Sequence, residues 1–457
     1  MKPSNRHLFP LIAGVLLALA FPKFGYYGLA WGALIPFLLA LRKCPGWKQA
    51  AMSGLFFGIA FFALNSFWLL SLFRFVGFWI VLGYGAATLF QALFILGFAL
   101  SFYASRKFNF QIVIVPLLWV AWEWLRAAGP FGSTFGVLGY SQAALLPLIQ
   151  ICSFTSVYGI SFLLVMSNQA WAEIIETRKI TPLLSVIMLV VISLLYGQQS
   201  LNQPLLAREH LRLAIIQPNI DQMRKMDARY LAENYEIHER LTRSLIEKKP
   251  QLIIWPETTL FSYLLRDRAM FEKVSGLARE TGAYLIIGTP HYEPGKIYNS
   301  VAAISPSGEA VVRYDKQHLV PFGEYLPFRP ILFPLLKNVG YYDQQFSSNP
   351  NPSNLLAGKT KIATAICFES MFPDLIRERV RLGADFILTV TNDSWFGDSA
   401  AAYQHLSSGV FRAIENRRYF VQAGNTGISA VIDPWGRMIE RSRLNEEATL
   451  SAEIALP

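Results

Sequence analysis

The chain has 457 residues, 53% of them hydrophobic and 16% charged, and a formal net charge of +10. That charge is lopsided: residues 1–199 carry twelve Lys/Arg against three acids (Glu123, Glu173, Glu176), and the remainder is close to neutral. The cations flank apolar runs instead of lining a soluble face, which removes the main ground for nucleic-acid binding. Three cysteines, Cys44, Cys152 and Cys367, supply no disulfide framework.

A helix needs about 20 mostly apolar residues to cross a bilayer. Roughly 8–22, 24–42, 50–73, 75–104, 111–126, 148–172 and 180–197 read as crossings, about seven in all. Placing the N-terminus in the cytoplasm puts Lys2, Arg6, Arg42, Lys43, Lys48, Arg106, Lys107, Arg178 and Lys179 inside. Only Lys23, Arg74 and Arg126 then fall outside, as the positive-inside bias requires. The last crossing exports the remainder of the chain, in a bacterial cell to the periplasmic face of the inner membrane. The expected division is therefore a membrane domain over 1–199 and a periplasmic domain over 200–457. The first segment has a rival reading as a cleavable signal peptide ending near Ala18-Leu19-Ala20; the crossings right after it favour an uncleaved helix. Glu123 and Arg126, three apart on one helix face, read either as a self-neutralising pair or as an arginine awaiting a lipid phosphate.

From Leu211 the texture changes to short apolar runs alternating with charged helical stretches. Strands are expected at Leu213–Gln217, Leu252–Trp255, Tyr284–Gly288, Ser300–Ile304 and Ala310–Tyr314, the last two joined by a turn at Ser305-Pro306-Ser307-Gly308. Further strands are expected at Ile362–Ile366, Asp385–Val390, Phe420–Ala423 and Ser429–Ile432. Helices are expected at Tyr230–Lys249, Arg266–Thr281, Pro373–Leu382 and Tyr403–Asn416. The plan is α/β, layered α-β-β-α around one core.

Three of those strands end on chemistry. Leu252–Trp255 leads to Glu257, Ala310–Tyr314 leads to Lys316, and Ile362–Ile366 leads to Cys367, with Glu369 two residues on. A thiol can act as a nucleophile where a base takes its proton and a cation meets the charge that develops in the substrate. Cys367 is the one cysteine of the soluble half. Two apolar loops adjoin the set: Leu260–Leu265 just past Glu257, and Ile331–Leu336 with Val339–Tyr342 after Glu324. Both read as greasy flanks for a substrate with acyl chains, the second as a lid or as a helix tucked into the core. The six histidines show no ligand spacing, so neither a metal nor a cofactor is expected.

These residues resemble the nitrilase, or carbon-nitrogen hydrolase, superfamily. The resemblance is carried by Trp255-Pro256-Glu257, by Lys316 with Pro321-Phe322-Gly323-Glu324, and by Cys367-Phe368-Glu369. Asn392–Gly397 and Arg412–Arg417 add to it. The membrane half, Leu138–Gln142 and His318–Pro327 narrow it to the apolipoprotein N-acyltransferase family, over nearly the whole chain. The resemblance implies an α-helical polytopic membrane domain plus an α/β nitrilase-like α-β-β-α sandwich. It implies Glu257 as general base, Lys316 as the cation beside the oxyanion and Cys367 as nucleophile, supported by Glu324 and Glu369. Phe368, Trp395, Leu335, Leu336 and Tyr341 become candidate substrate contacts. The implied partners are a phospholipid acyl donor and a diacylglyceryl lipoprotein acceptor.

The chain departs from the family in three places. Phe368 stands where a Tyr is frequent, Met226 where a Trp is common near the end of Gln217–Met226, and no apolar run of spanning length precedes Ala455-Leu456-Pro457. Two other functions use the same residues differently. One is a membrane-tethered amidase hydrolysing a small amide or nitrile with water as acceptor. The other is a lipid- or lipoprotein-binding protein without turnover, which the complete Glu257/Lys316/Cys367 set argues against.

Overall fold

The computed structural model describes residues 7–205, 207–260, 262–337, 345–350 and 353–457. They fall into two compact units. One holds the chain up to Gln203 with Ser399–Phe411, the other Pro204–Asp398 with Arg412–Pro457.

The first unit is helical. Among its described helices, Trp47–Asn65, Trp79–Ser105 and Thr181–Leu201 are long and apolar enough to span a bilayer. Leu184, Met188, Val191 and Leu195 recur every three to four residues along the last of these, all strongly exposed. An unbroken exposed apolar stripe of that kind is stable only against lipid or another apolar surface. Helices Trp47–Asn65 and Trp79–Ser105 touch at their backbones: a Cβ on Gly58 would lie 2.7 Å from Ala92 Cα, so only glycine permits the approach. Other expected crossings are more broken than their hydropathy indicates. The 24–42 stretch is a 3-10 turn, Tyr27–Trp31, followed by the short helix Ile35–Arg42. Helix Cys152–Thr177 is interrupted at Ser156, where φ is +57°.

Glu123 and Arg126 are both buried in helix Gln111–Ala127, and both grip loop backbone. Glu123 Oε1 accepts from the Leu138 N–H at 2.7 Å, and Arg126 Nη1 donates to the Phe135 carbonyl at 2.6 Å and to Gln91 Oε1 at 3.0 Å. Anchoring the 135–138 loop is thus their observed work. Helix Ala400–Asn416 begins in this unit, where Gln404 Nε2 donates to the carbonyls of Pro22 and Asn65.

Among the described residues the second unit has twelve strands: β1 Glu209–Gln217, β2 Leu252–Trp255, β3 Tyr284–Glu293, β4 Lys296–Ile304, β5 Ala310–Asp315, β6 Leu355–Ala357, β7 Thr360–Ile366, β8 Phe386–Thr391, β9 Phe420–Gly424, β10 Ala430–Ile432, β11 Met438–Arg441 and β12 Ala448–Leu456. They form two six-stranded mixed sheets, in the orders β12-β1-β2-β3-β4-β5 and β11-β10-β9-β8-β7-β6. In each sheet three neighbouring strands run parallel, β1-β2-β3 and β7-β8-β9, with antiparallel strands on both sides.

Alternation along β1 and β2 explains the layering. Leu211, Leu213, Ile215, Leu252 and Ile254 pack into a core shared with Ile362, Ile366, Phe386 and Leu388 of the other sheet. Ala214, Ile216, Ile253 and Trp255 point the other way, onto helices Leu231–Arg243 and Arg268–Thr281. Both faces are covered, so these strands read as continuous apolar runs. The result is the expected α-β-β-α sandwich. Leu260 and Leu264, read from sequence as a greasy loop, are 1% and 0% exposed and belong to the outer core under those helices. Apolarity alone does not separate lipid-facing from core residues.

Candidate active site

The functional side chains gather at the carboxyl ends of the strands, where parallel sheets leave backbone turns free to carry chemistry. Glu257 lies two residues past β2 and is 7% exposed. Its turn needs room from β3: a Cβ on Gly288 would stand 2.3 Å from the Pro256 carbonyl oxygen and 2.6 Å from Glu257 Cα. Lys316 comes directly after β5, and its N–H donates to the Asn299 carbonyl on β4 at 2.8 Å. Cys367 comes directly after β7, at φ +53°, and opens the 3-10 turn Cys367–Met371. Left-handed backbone at a non-glycine residue costs on the order of 1 kcal/mol, and such residues cluster at functional sites.

Lys316 Nζ lies 2.9 Å from Glu324 Oε1 and 3.9 Å from Glu257 Oε1. Asn299 Nδ2 joins the two acids, donating to Glu257 Oε1 at 2.8 Å and to Glu324 Oε1 at 2.9 Å. Glu324 is fixed in turn by the Val320 N–H, at 2.8 Å from Oε2. This packing sets the charges. Burial works against the Lys316 ammonium, but Glu324 and then Glu257 outweigh it and hold its proton affinity above the usual lysine range. Burial pushes the Glu257 carboxyl up, Lys316 pulls it down, and Glu324 adds to the rise. Burial also pushes the Cys367 thiol up, reinforced by Glu257 and Asp393 and opposed by Lys316. At rest, then, the sulfur is protonated, and the group with an enhanced appetite for that proton is Glu257.

Glu369 stands where it can support the site through backbone. It is fully buried, and its carboxylate accepts from Tyr314 Oη, from the N–H groups of Gln317 and His318, and from the Ile366 N–H at 2.8 Å. It ties the loop after Lys316 to the strand before Cys367. Arg379, from helix Pro373–Arg381, completes the knot by donating to Tyr314 Oη and to the Thr364 carbonyl.

The candidate substrate contacts divide. Phe368 is half-buried, its ring 4.9 Å from that of Phe372 and 5.9 Å from that of His318. His318 packs on Phe372 at 4.3 Å, a packing role. Trp395 is half-buried in the turn Asp393–Phe396. Leu336 ends the short helix Arg329–Leu336, whose Ile331 is 69% exposed; Tyr341 and the Leu335 side chain lie outside the described residues. Met226 is exposed.

Sequence reading assigns no role to Asn299, which bridges the two acids, or to Lys225, whose ammonium donates to the Glu257 carbonyl. Each is a common residue type whose role depends on contacts remote in sequence. Among the described residues no group of three His, Cys, Asp or Glu side chains is placed to hold a metal ion.

The two-sheet sandwich falls in the carbon-nitrogen hydrolase class: the family model of that description matches residues 212–457. A second model, the apolipoprotein N-acyltransferase N-terminal domain, matches residues 13–170. An apolipoprotein N-acyltransferase from Geobacter metallireducens is 37% identical, covering 99% of this chain and 90% of the relative. One from Chlorobaculum tepidum is 30% identical over 99% of this chain and 91% of its own length. The chain belongs to the apolipoprotein N-acyltransferase family. It is therefore a membrane acyltransferase carrying a nitrilase-like domain. Among solved structures, the NitFhit protein of C. elegans superposes with a TM-score of 0.44 at 21% identity, covering 55% of this chain and 62% of the other.

Proposed function

We propose that this enzyme moves an acyl chain from a phospholipid to the N-terminal amine of a diacylglyceryl-cysteine lipoprotein through a thioester on Cys367. The observation that carries the reading is the buried Glu257–Asn299–Glu324–Lys316 array beside a thiol at a left-handed elbow. As Cys367 Sγ attacks the ester carbonyl carbon, its proton passes to Glu257. The negative charge moves to the carbonyl oxygen, where Lys316 is the nearby cation. Collapse breaks the ester C–O bond; the lysophospholipid leaves as an alcohol with the proton from Glu257. The acceptor amine then attacks the thioester and yields its proton to Glu257. The C–S bond breaks, leaving an amide and restoring the thiol. Such a sequence is ping-pong.

Glu324 holds Lys316, and Glu369 holds the loops that bear Lys316 and Cys367. Phe368, Trp395, Leu335, Leu336 and Tyr341 are assigned to the acyl-chain path. Residues 1–199 form the membrane domain and 200–457 the catalytic domain on the periplasmic side of the inner membrane, a placement supported by the distribution of lysine and arginine.

The test is mass spectrometry of the purified full chain after incubation with a palmitoyl phospholipid. A palmitoyl adduct on Cys367, discharged by a diacylglyceryl peptide with a free amine but not by its N-acetylated form, is the expected result. Turnover of a small amide with no such adduct would replace this reading with the amidase. Lipopeptide binding with neither adduct nor turnover would replace it with a binding protein.

A further inference from the structure

A second lysine lies inside the site. Lys225 ends the short helix Gln222–Lys225 and is only 3% exposed. Among the described residues its ammonium makes one hydrogen bond, to the backbone carbonyl of Glu257 at 2.6 Å. That contact is built, since the loop carrying it is stitched to the ends of β8 and β9. Asn392 Nδ2 donates to Gln222 Oε1 at 2.6 Å, Asn425 Nδ2 to the Ile220 carbonyl at 2.8 Å, and the Ile220 N–H to Asn425 Oδ1 at 3.1 Å. Asp221 caps the helix through the Met223 N–H at 2.8 Å.

The balance of charge says what the lysine is for. Around Cys367 the acids Glu257 and Asp393 oppose a thiolate, and Glu324 already occupies Lys316. With Lys316 as the lone cation, negative groups outnumber positive ones just where sulfur and then carbonyl oxygen must carry negative charge. Lys225 narrows that excess from two to one, and it feels both Glu257 and Cys367.

We propose that Lys225 is a positioning residue of this active site, a second ammonium that pins the Glu257 backbone and makes the Cys367 thiolate less costly. This deepens the acyl-transfer reading and rests on it for the reaction, but the effect on the thiol can be read without any acyl donor. Burial brings Lys225 down to about 8, with Glu257 and Cys367 pulling the other way. Among the described residues His238 of helix Leu231–Arg243 also faces it; burial holds that ring neutral, down to about 3, so it does not titrate in the same range. The protonated form is the useful one, so acyl-enzyme formation should fall as pH rises through about 8, where the climb of alkylation with pH should flatten.

The experiment uses the full chain in detergent with three proteins: wild type, Lys225→Met and Lys225→Arg. Cys367 alkylation by iodoacetamide is measured against pH, beside acyl-enzyme formation from phospholipid. Removing a buried ammonium relieves desolvation, so Lys225→Met is expected to fold. It should alkylate about tenfold more slowly near neutral pH, a shift of about one pH unit, with acyl-enzyme formation slowed and the acceptor KM unchanged. Lys225→Arg, always charged, should keep most of the rate and lose the decline above pH 8. A folded Lys225→Met with wild-type alkylation and acylation overturns the proposal. If Lys225→Met fails to fold, an arginine variant that still declines near pH 8 overturns it instead. Altered alkylation with no acyl-enzyme in any protein would keep the role of Lys225 and sink the acyl-transfer reading.

Discussion

Both carboxylate oxygens of Glu369 accept the phenol of Tyr314, each at 2.9 Å, deep between the two sheets. The same acid takes backbone N–H groups from the Lys316 side and from the Cys367 side, so it sets the spacing of cation and thiol. Glu369→Gln turns an amide donor toward groups that are themselves donors and leaves Arg379 without its counter-charge 3.7 Å away. Losing a buried charge-assisted network costs roughly 3–5 kcal/mol. The variant should unfold at a clearly lower temperature, and its folded fraction should acylate slowly; an unchanged melting temperature would refute the clamp.

Glu257 must be ionised to accept the thiol proton, and burial raises its affinity for protons. Acyl-enzyme formation should therefore fall on acidification at a pH above the ordinary glutamate range. Glu324→Gln removes the neighbouring charge that adds to the rise and frees Lys316 for Glu257. Its acidic limb should move to lower pH while the rate drops about tenfold or more. Single-turnover rates across pH measure both.

Cys367→Ser should fold and insert normally, because Glu369 and Ser370 hold the elbow's backbone and a hydroxyl can keep the contact the sulfur makes with Thr391. It should form no stable acyl-enzyme, with turnover reduced about a thousandfold or more. Full activity would remove the nucleophile assignment.

Helix Arg329–Leu336 tests the lid. Ile331 is 69% exposed, so Ile331→Gln should change stability by no more than about 0.5 kcal/mol. Paired with Leu336→Gln it should slow phospholipid turnover while leaving iodoacetamide alkylation of Cys367 intact. Unfolding of the double variant would make the segment core.

His238 carries an acid-stability signature. It is fully buried and held at about 3, whereas an unfolded histidine takes a proton near 6.5. The unfolded state thus binds the extra proton, and stability is lost as pH falls from about 6.5 toward 3. His238→Gln should abolish this share, roughly 3 kcal/mol between pH 7 and 4, read as a smaller drop in melting temperature than wild type.

Much of the sandwich is legible because buried parallel strands are uninterrupted apolar runs; Leu252–Trp255 is found at its sequence-read limits. Edge strands are less visible. Ala448–Leu456 holds three alanines with a Thr, a Ser and a Glu among its nine residues, and becomes a strand through nine paired positions with β1. β3 and β4 run past their expected ends because Gly295, at φ +76°, closes a hairpin that the apolar pattern does not mark. Glu257, Lys316 and Cys367 stand out because each terminates an apolar run. Lys225 does not, since in Gln222-Met223-Arg224-Lys225 it looks like one more solvated charge until the loop folds over β2.

The elbow at Cys367 is propped through its backbone, by Glu369 at the Ile366 N–H and by Ser370 Oγ at the Cys367 carbonyl. On the acyl-transfer reading, chassis and warhead are accordingly separable: Cys367→Ala is expected to give a shape-true but inert enzyme. Such a protein could be soaked with an intact ester and imaged with the donor in place, a snapshot that the reactive chain consumes.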